Sequence, residues 1–257
     1  MKPITDLDAR AVRALLFDID DTLTTQGKLT APAYAALERW HLAGKRAVAV
    51  TGRPAGWCDH IARMWPVDAV VGENGAFYFA FADDQLRKCY RDAPEVRSRN
   101  RTRLAEIGQR IVAAVPGCAL AVDQLYRETD LAIDYCEDVA PLPLEAAQRI
   151  AALMREAGLQ AKLSSIHVNG WFGEYDKLAM TRQLFREQLA IDLDRERGAV
   201  VYVGDSPNDA PMFEFFPNAV GVANIRRFAG LLDASPKYVT QGESGSGFAE
   251  LIGHLLS

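Results

Sequence analysis

The apolar run Ala14-Leu15-Leu16-Phe17 stops abruptly at Asp18-Ile19-Asp20-Asp21, and no other stretch constrains the fold as strongly. An apolar run ending at a polar turn reads as a strand buried on both faces, as in a parallel sheet. Open parallel sheets collect their ligands at the carboxyl ends of strands. Asp18 and Asp20 are therefore expected at a mouth open to solvent. Carboxylates this close repel one another, and a hard divalent cation with oxygen ligands is the simplest way to hold them together. The alternative at this point is a solvated acidic turn, a common form of chain punctuation.

The rest of the chain supplies the sheet. Residues 14–19 read as a strand, 32–43 as a helix with Thr30 as N-cap and Gly44 as stop. A buried strand at 47–50 ends in Thr51-Gly52-Arg53-Pro54, a helix follows at 57–65, and a strand at 68–71 closes with Gly72-Glu73-Asn74-Gly75. This β-α-β-α-β series implies a parallel sheet with helical crossovers. The pattern then changes. A hairpin at 76–81 and 86–90, helices at 96–115 and 143–157, and short strands at 119–122, 131–135, 161–163 and 166–168 suit an antiparallel sheet with helices on one face. The first pattern resumes after Gly173, with a helix at 176–189, strands at 199–203, 219–222 and 238–239, and a closing helix at 247–256. The expected fold class is α/β: a parallel-sheet core in two segments, 1–82 and 173–257, with an α+β domain inserted at 83–172.

Composition narrows the function. Of 257 residues, 49% are hydrophobic and 25% charged, with a net charge of −5. That balance suits a globular protein and argues against a general nucleic-acid binder. No apolar run is long enough to span a bilayer, and the first residues lack the apolar centre of a secretory signal. Cys58, Cys89, Cys118 and Cys136 are scattered, with no Cys-x-x-Cys pair. A reducing, cytoplasmic setting is expected. The histidines form no metal-spaced cluster. Arg97, Arg99, Arg101 and Arg103 read as a solvated helix face, and Trp57 and Trp65 as core. The stretch 169–174 reads equally as a hinge or an ordinary turn. Gly242 to Gly247 reads as a flexible connection, and Arg53 as a minor neighbour of the site.

Four features fall on matching positions. Asp18 and Asp20 follow the first strand, Thr51 the second, and Asp205 and Asp209 the strand at 199–203, while Lys177 begins the helix after the insert. In a parallel sheet these ends converge on one crevice. The set suits a phosphoryl group: carboxylates to hold Mg²⁺, one carboxylate to attack phosphorus, and ammonium and hydroxyl donors for the equatorial oxygens.

With these residues in order, the chain resembles the haloacid dehalogenase superfamily of phosphatases. The matching motifs are Asp18-x-Asp20-x-Thr22, Val50-Thr51-Gly52-Arg53, Lys177, and Gly204-Asp205-Ser206-Pro207-Asn208-Asp209. The domain-sized gap between Thr51 and Lys177 is similar to the α/β cap of the family's Cof-type, class IIB group, which contains sugar-phosphate phosphatases and phosphomannomutases. The resemblance implies a HAD-like Rossmannoid core with a specificity-setting cap. It implies Asp18 as nucleophile and Asp20 as general acid/base, with Mg²⁺ held by Asp18, the backbone carbonyl of Asp20, and Asp205. It implies Thr51, Gly52, Lys177 and Asn208 around the phosphoryl group, with Asp209 and Ser206 in support. The chain departs from the group at Leu178, where glycine is usual after the lysine, and at Asp21. The implied activity is Mg²⁺-dependent hydrolysis of a small phosphorylated metabolite, a sugar phosphate for preference. A phosphosugar mutase and a phospho-acceptor signalling module are the alternatives.

Overall fold

A computed structural model describes all 257 residues. The chain opens with β1 (Lys2–Pro3), β2 (Ala14–Phe17), α1 (Ala31–Leu42), β3 (Arg46–Val50), α2 (Ala55–Met64), β4 (Ala69–Gly72), β5 (Phe77–Ala82) and β6 (Gln85–Tyr90). The inserted unit follows as α3 (Pro94–Ala114), β7 (Ala119–Leu120), β8 (Asp130–Asp134), α4 (Leu144–Glu156), β9 (Gln160–Leu163) and β10 (His167–Trp171). The chain returns through α5 (Lys177–Leu184), α6 (Leu193–Glu196), β11 (Val200–Gly204), α7 (Ala210–Phe215), β12 (Asn218–Gly221), β13 (Tyr238–Val239) and α8 (Ser244–Leu255).

The large sheet has nine strands in the order β1-β13-β12-β11-β2-β3-β4-β5-β6. It is parallel from β1 to β4 and antiparallel through β5 and β6. Side chains alternate across the central strand with the period of two that a strand imposes. Leu15 and Phe17 join a core with Trp40 of α1 and Phe248 of α8, while Ala14 and Leu16 join another with Leu184 of α5 and Phe213 of α7. Helices thus cover both faces, which is why β2 is apolar throughout. Because β2 lies between β3 and β11, the loops after these three strands share one edge. No helix is long and apolar enough to cross a membrane.

The inserted unit is a four-stranded antiparallel sheet, β7-β8-β10-β9, with α3 and α4 packed on it around a separate core that includes Leu104, Ile111, Ile133, Ile150 and Val168.

Four expectations change. The large sheet passes the expected boundary at residue 83, because β6 pairs with β5 from Gln85 to Tyr90. Asp83 and Asp84 take the left-handed conformation, φ 53° and 57°, which suits a tight hairpin turn and returns the strand onto its neighbour. Asn169 to Trp171 are strand rather than loop, so only the turn at Gly173 (φ 97°) remains of the expected hinge. Trp57 is 42% exposed, because the buried stripe of α2 runs through Cys58, Ile61 and Ala62 instead. Gly242 to Gly247 is not a flexible connection: α8 already begins at Ser244, and a Cβ on Gly245 would stand 2.7 Å from the Leu23 carbonyl oxygen. Glycine serves close packing there.

Candidate active site

Asp18 continues the ladder of β2, its amide donating to the Val203 carbonyl at 2.9 Å. Its carboxylate is buried and accepts from Lys177 Nζ at 2.8 Å. Lys177 is placed by the first turn of α5, where Asp176 acts as N-cap by accepting from the Ala179 amide at 2.8 Å. The same ammonium donates to Asp209 at 2.6 Å. Asp205, at the end of β11, accepts from Thr22 Oγ1 at 3.3 Å and Asn224 Nδ2 at 3.2 Å. Asp209 forms a capping box with Ser206 and also takes the amide of Asp205 at 3.0 Å, the amide of Ser206 at 3.3 Å and the Tyr202 hydroxyl.

Carboxylate oxygens of Asp18, Asp205 and Asp209 lie within 4.8 Å of one another, all buried. Lys177 is the cation bonded within this group, to Asp18 and Asp209 but not to Asp205. Burial pushes the Asp18 carboxyl up to about 7, with Asp209 and Asp20 adding to the rise and Lys177 opposing it. Burial, then Asp18 and Asp209, hold Asp205 well above the usual carboxylate range. Lys177 goes the other way: burial disfavours its charge, but Asp18 and Asp209 outweigh that and keep it protonated. A dry cluster of oxygen donors with excess negative charge fits a hard divalent cation, and such an ion would draw Asp18 and Asp205 back to their ionised forms. Asp209 already accepts from four groups, so it supports the cluster, and Asp18 and Asp205 are the carboxylates free to ligate.

The other expected residues gather nearby but divide between tasks. Thr51 is fully buried after β3 and accepts from the Arg53 amide at 3.1 Å. Gly52 leaves room for Asn74, whose Nδ2 would stand 3.2 Å from a Cβ at that position. Asn208 accepts from Ser206 Oγ at 2.8 Å and donates to Asn74 Oδ1 at 3.4 Å. The Asp20 carboxylate stands apart from the acidic cluster. It accepts from Arg53 Nε at 2.9 Å and Nη2 at 2.8 Å.

Several residues here escaped the sequence reading. Arg53, expected to be minor, joins the two units: Nη2 reaches Glu137 at 2.5 Å and Nη1 reaches Asp123 at 3.3 Å. Glu73 does the same from the end of β4. Its carboxylate accepts the amides of Glu128 at 2.9 Å, Thr129 at 2.6 Å and Asp130 at 3.2 Å. Glu73, Asn74 and Gly75 all have positive φ (43°, 55° and 104°), a run that is costly for the two non-glycines. The position of Glu73-Asn74-Gly75 just past a strand was a usable signal. Asp123 and Glu137 carried none, because nothing in the local pattern says which loops of the insert face the core.

A cavity of about 330 Å³ adjoins the site at Lys177 and Asn208 and is also lined by Asn74, Lys162 and Trp171. Asn74 Nδ2 and Trp171 Nε1 are buried there without hydrogen-bond partners.

Residues 15–96 match the family model of haloacid dehalogenase-like hydrolases. A phosphoglycolate phosphatase of Haloarcula marismortui is 28% identical over 245 residues, covering 93% of this chain and 95% of its own. Among solved structures, the sucrose-phosphatase of Synechocystis, in complex with sucrose and phosphate, superposes with a TM-score of 0.63 at 17% identity, over 96% of this chain and 98% of its own. A sugar phosphatase of haloacid dehalogenase subclass IIB gives 0.63 at 14% identity, over 95% and 98%. The motifs, the family match over residues 15–96 and the full-length phosphatase relatives agree on an enzyme of the phosphatase kind that resembles the haloacid dehalogenase-like hydrolases, and its fold is similar to that of the solved phosphatases above.

Proposed function

We propose that the protein is a Mg²⁺-dependent phosphomonoesterase that acts through an aspartyl phosphate on a small phosphorylated metabolite, with a sugar phosphate as the preferred class. One observation carries this reading: Asp18 sits at the end of β2 with one carboxylate oxygen held by Lys177, beside the buried carboxylate of Asp205. The oxygen not held by Lys177 is the one that attacks phosphorus, and the leaving alcohol departs with a proton from Asp20. Asp20 then takes a proton from the water that cleaves the aspartyl phosphate, which frees Asp18 and releases phosphate. Lys177, Thr51, the Gly52 backbone and Asn208 bind the equatorial oxygens as charge grows on them. Bound at Asp18, the Asp20 carbonyl and Asp205, Mg²⁺ would neutralise charge on the phosphoryl oxygens and keep Asp18 ionised. Asp209 and Ser206 hold Lys177 and the Asp205 loop in place.

The inserted unit, which we take as the cap, supplies specificity. Asn74, Trp171 and Lys162 line the cavity, and side chains of these types suit a substrate rich in hydroxyl or carboxylate acceptors. Sugar phosphates meet that need. The relative that acts on phosphoglycolate and the Lys162 ammonium favour a phosphorylated hydroxy acid as the second reading. All four cysteines are free thiols, which fits the cytoplasmic location we assign.

Phosphate release should be measured over hexose phosphates, phosphoglycolate and p-nitrophenyl phosphate, with Mg²⁺ and with EDTA. Turnover that requires Mg²⁺ and vanishes in Asp18→Asn is expected. No release from any ester, or full activity in Asp18→Asn, overturns the reading. Appearance of an isomeric sugar phosphate rather than free sugar would assign a mutase instead.

A further inference from the structure

The Asp20 carboxylate has one protein partner, the guanidinium of Arg53, which grips it through Nε at 2.9 Å and Nη2 at 2.8 Å. The far edge of that guanidinium belongs to the cap. Glu137 takes Nη2 at 2.5 Å, and Asp123 takes Nη1 at 3.3 Å. Asp123 is in turn clamped by Arg127 at 3.1 Å, and Arg127 donates to the Gly52 carbonyl at 2.8 Å. His167 Nε2 lies 2.9 Å from Glu137. The Trp57 ring lies 4.5 Å from the guanidinium carbon and closes one of its faces. A planar fork with both edges occupied has a single orientation. Without Glu137 and Asp123, one edge is unheld and the long side chain regains its rotamers.

Resting on the phosphatase reading above, we propose that Arg53 is a positioning residue for proton transfer: it aims the Asp20 carboxylate at the leaving-group oxygen while Glu137 and Asp123 of the docked cap hold its other edge. Docking of the cap is thereby tied to readiness of the proton donor. An ester that reaches the site with the cap undocked meets a nucleophile but a poorly aimed acid. No new covalent step is involved, since the proton still passes from Asp20 to the ester oxygen.

The test compares two leaving groups. An alkyl phosphate needs its leaving oxygen protonated, whereas p-nitrophenolate leaves unaided. The readout is kcat/KM, which covers only the steps up to departure of the alcohol, taken as the alkyl-to-aryl ratio for Arg53→Lys, Glu137→Gln and Asp20→Asn relative to wild type. Loss of the acid itself should lower that ratio by about 10²- to 10⁴-fold. Arg53→Lys, which keeps charge but loses the fork, should lower it by about tenfold or more, and Glu137→Gln should lower it in the same direction by less. If both variants slow the two esters equally, the pairs only stabilise the docked cap and the proposal fails. Glu137→Gln alters a cap loop only, so it decides the matter even if Arg53→Lys folds poorly. Wild-type enzyme inert towards both esters would instead overturn the phosphatase reading, and this role of Arg53 with it.

Discussion

Glu137 gives a prediction whose size can be worked out. Burial disfavours its charge, but His167 and Arg53 more than compensate and hold the carboxyl down at about 2, against an ordinary 4.5. A carboxyl held low in the folded protein adds stability above its unfolded value and loses it as pH falls through the folded one. The window here runs from 4.5 down to about 2. Taken whole, the difference corresponds to up to about 3 kcal/mol at neutral pH. The side chain is 24% exposed, and water screens part of the attraction, so about 2 kcal/mol is expected. Near pH 3 the unfolded chain binds the proton that the folded one refuses, which leaves about 1 kcal/mol. Glu137→Gln keeps the shape and removes the charge. Urea unfolding of both proteins at about pH 7 and about pH 3 should show the wild type ahead by about 2 kcal/mol at the first and about 1 kcal/mol at the second. A gap that does not change with pH would refute the reasoning, because it would mean that the charge of Glu137 is not what the contacts use.

Two further outcomes follow from the site. Lys177→Ala leaves the buried carboxylates of Asp18 and Asp209 facing each other without their shared cation. It should cost about 3–5 kcal/mol in EDTA and recover part of that with Mg²⁺, as read by thermal melting, while kcat drops by about 10²-fold or more. Gly75→Ala places a Cβ 2.0 Å from the Asp176 carbonyl oxygen at φ 104°. It should lower the melting temperature sharply and loosen the start of α5, so a variant that melts like wild type would show that this close approach is not needed.

Much of the core was readable because its signals are local. Leu15 to Phe17 alternate between two cores yet are apolar throughout, which only a strand covered on both faces requires. Asp18, Thr51 and Asp205 each stand just past such a strand, so their convergence follows from parallel topology alone. Trp57 misled because aromatic character predicts burial only on average, and the stripe of α2 passes it by. Gly242 to Gly247 misled because glycine marks both loose chain and close packing, and only the neighbours tell which.

The sequence by itself determined the chemistry available here: carboxylates, an ammonium and a hydroxyl at strand ends, in an order that admits one crevice. The tertiary structure decided how they divide. Four donors occupy Asp209 and make it a support, while Asp18 and Asp205 keep oxygens free for a cation. Asp20 turns from the acidic cluster to Arg53, and Arg53 reaches the inserted unit. Those outcomes depend on distances between residues far apart in the chain, and no periodicity or spacing encodes a distance across a domain interface.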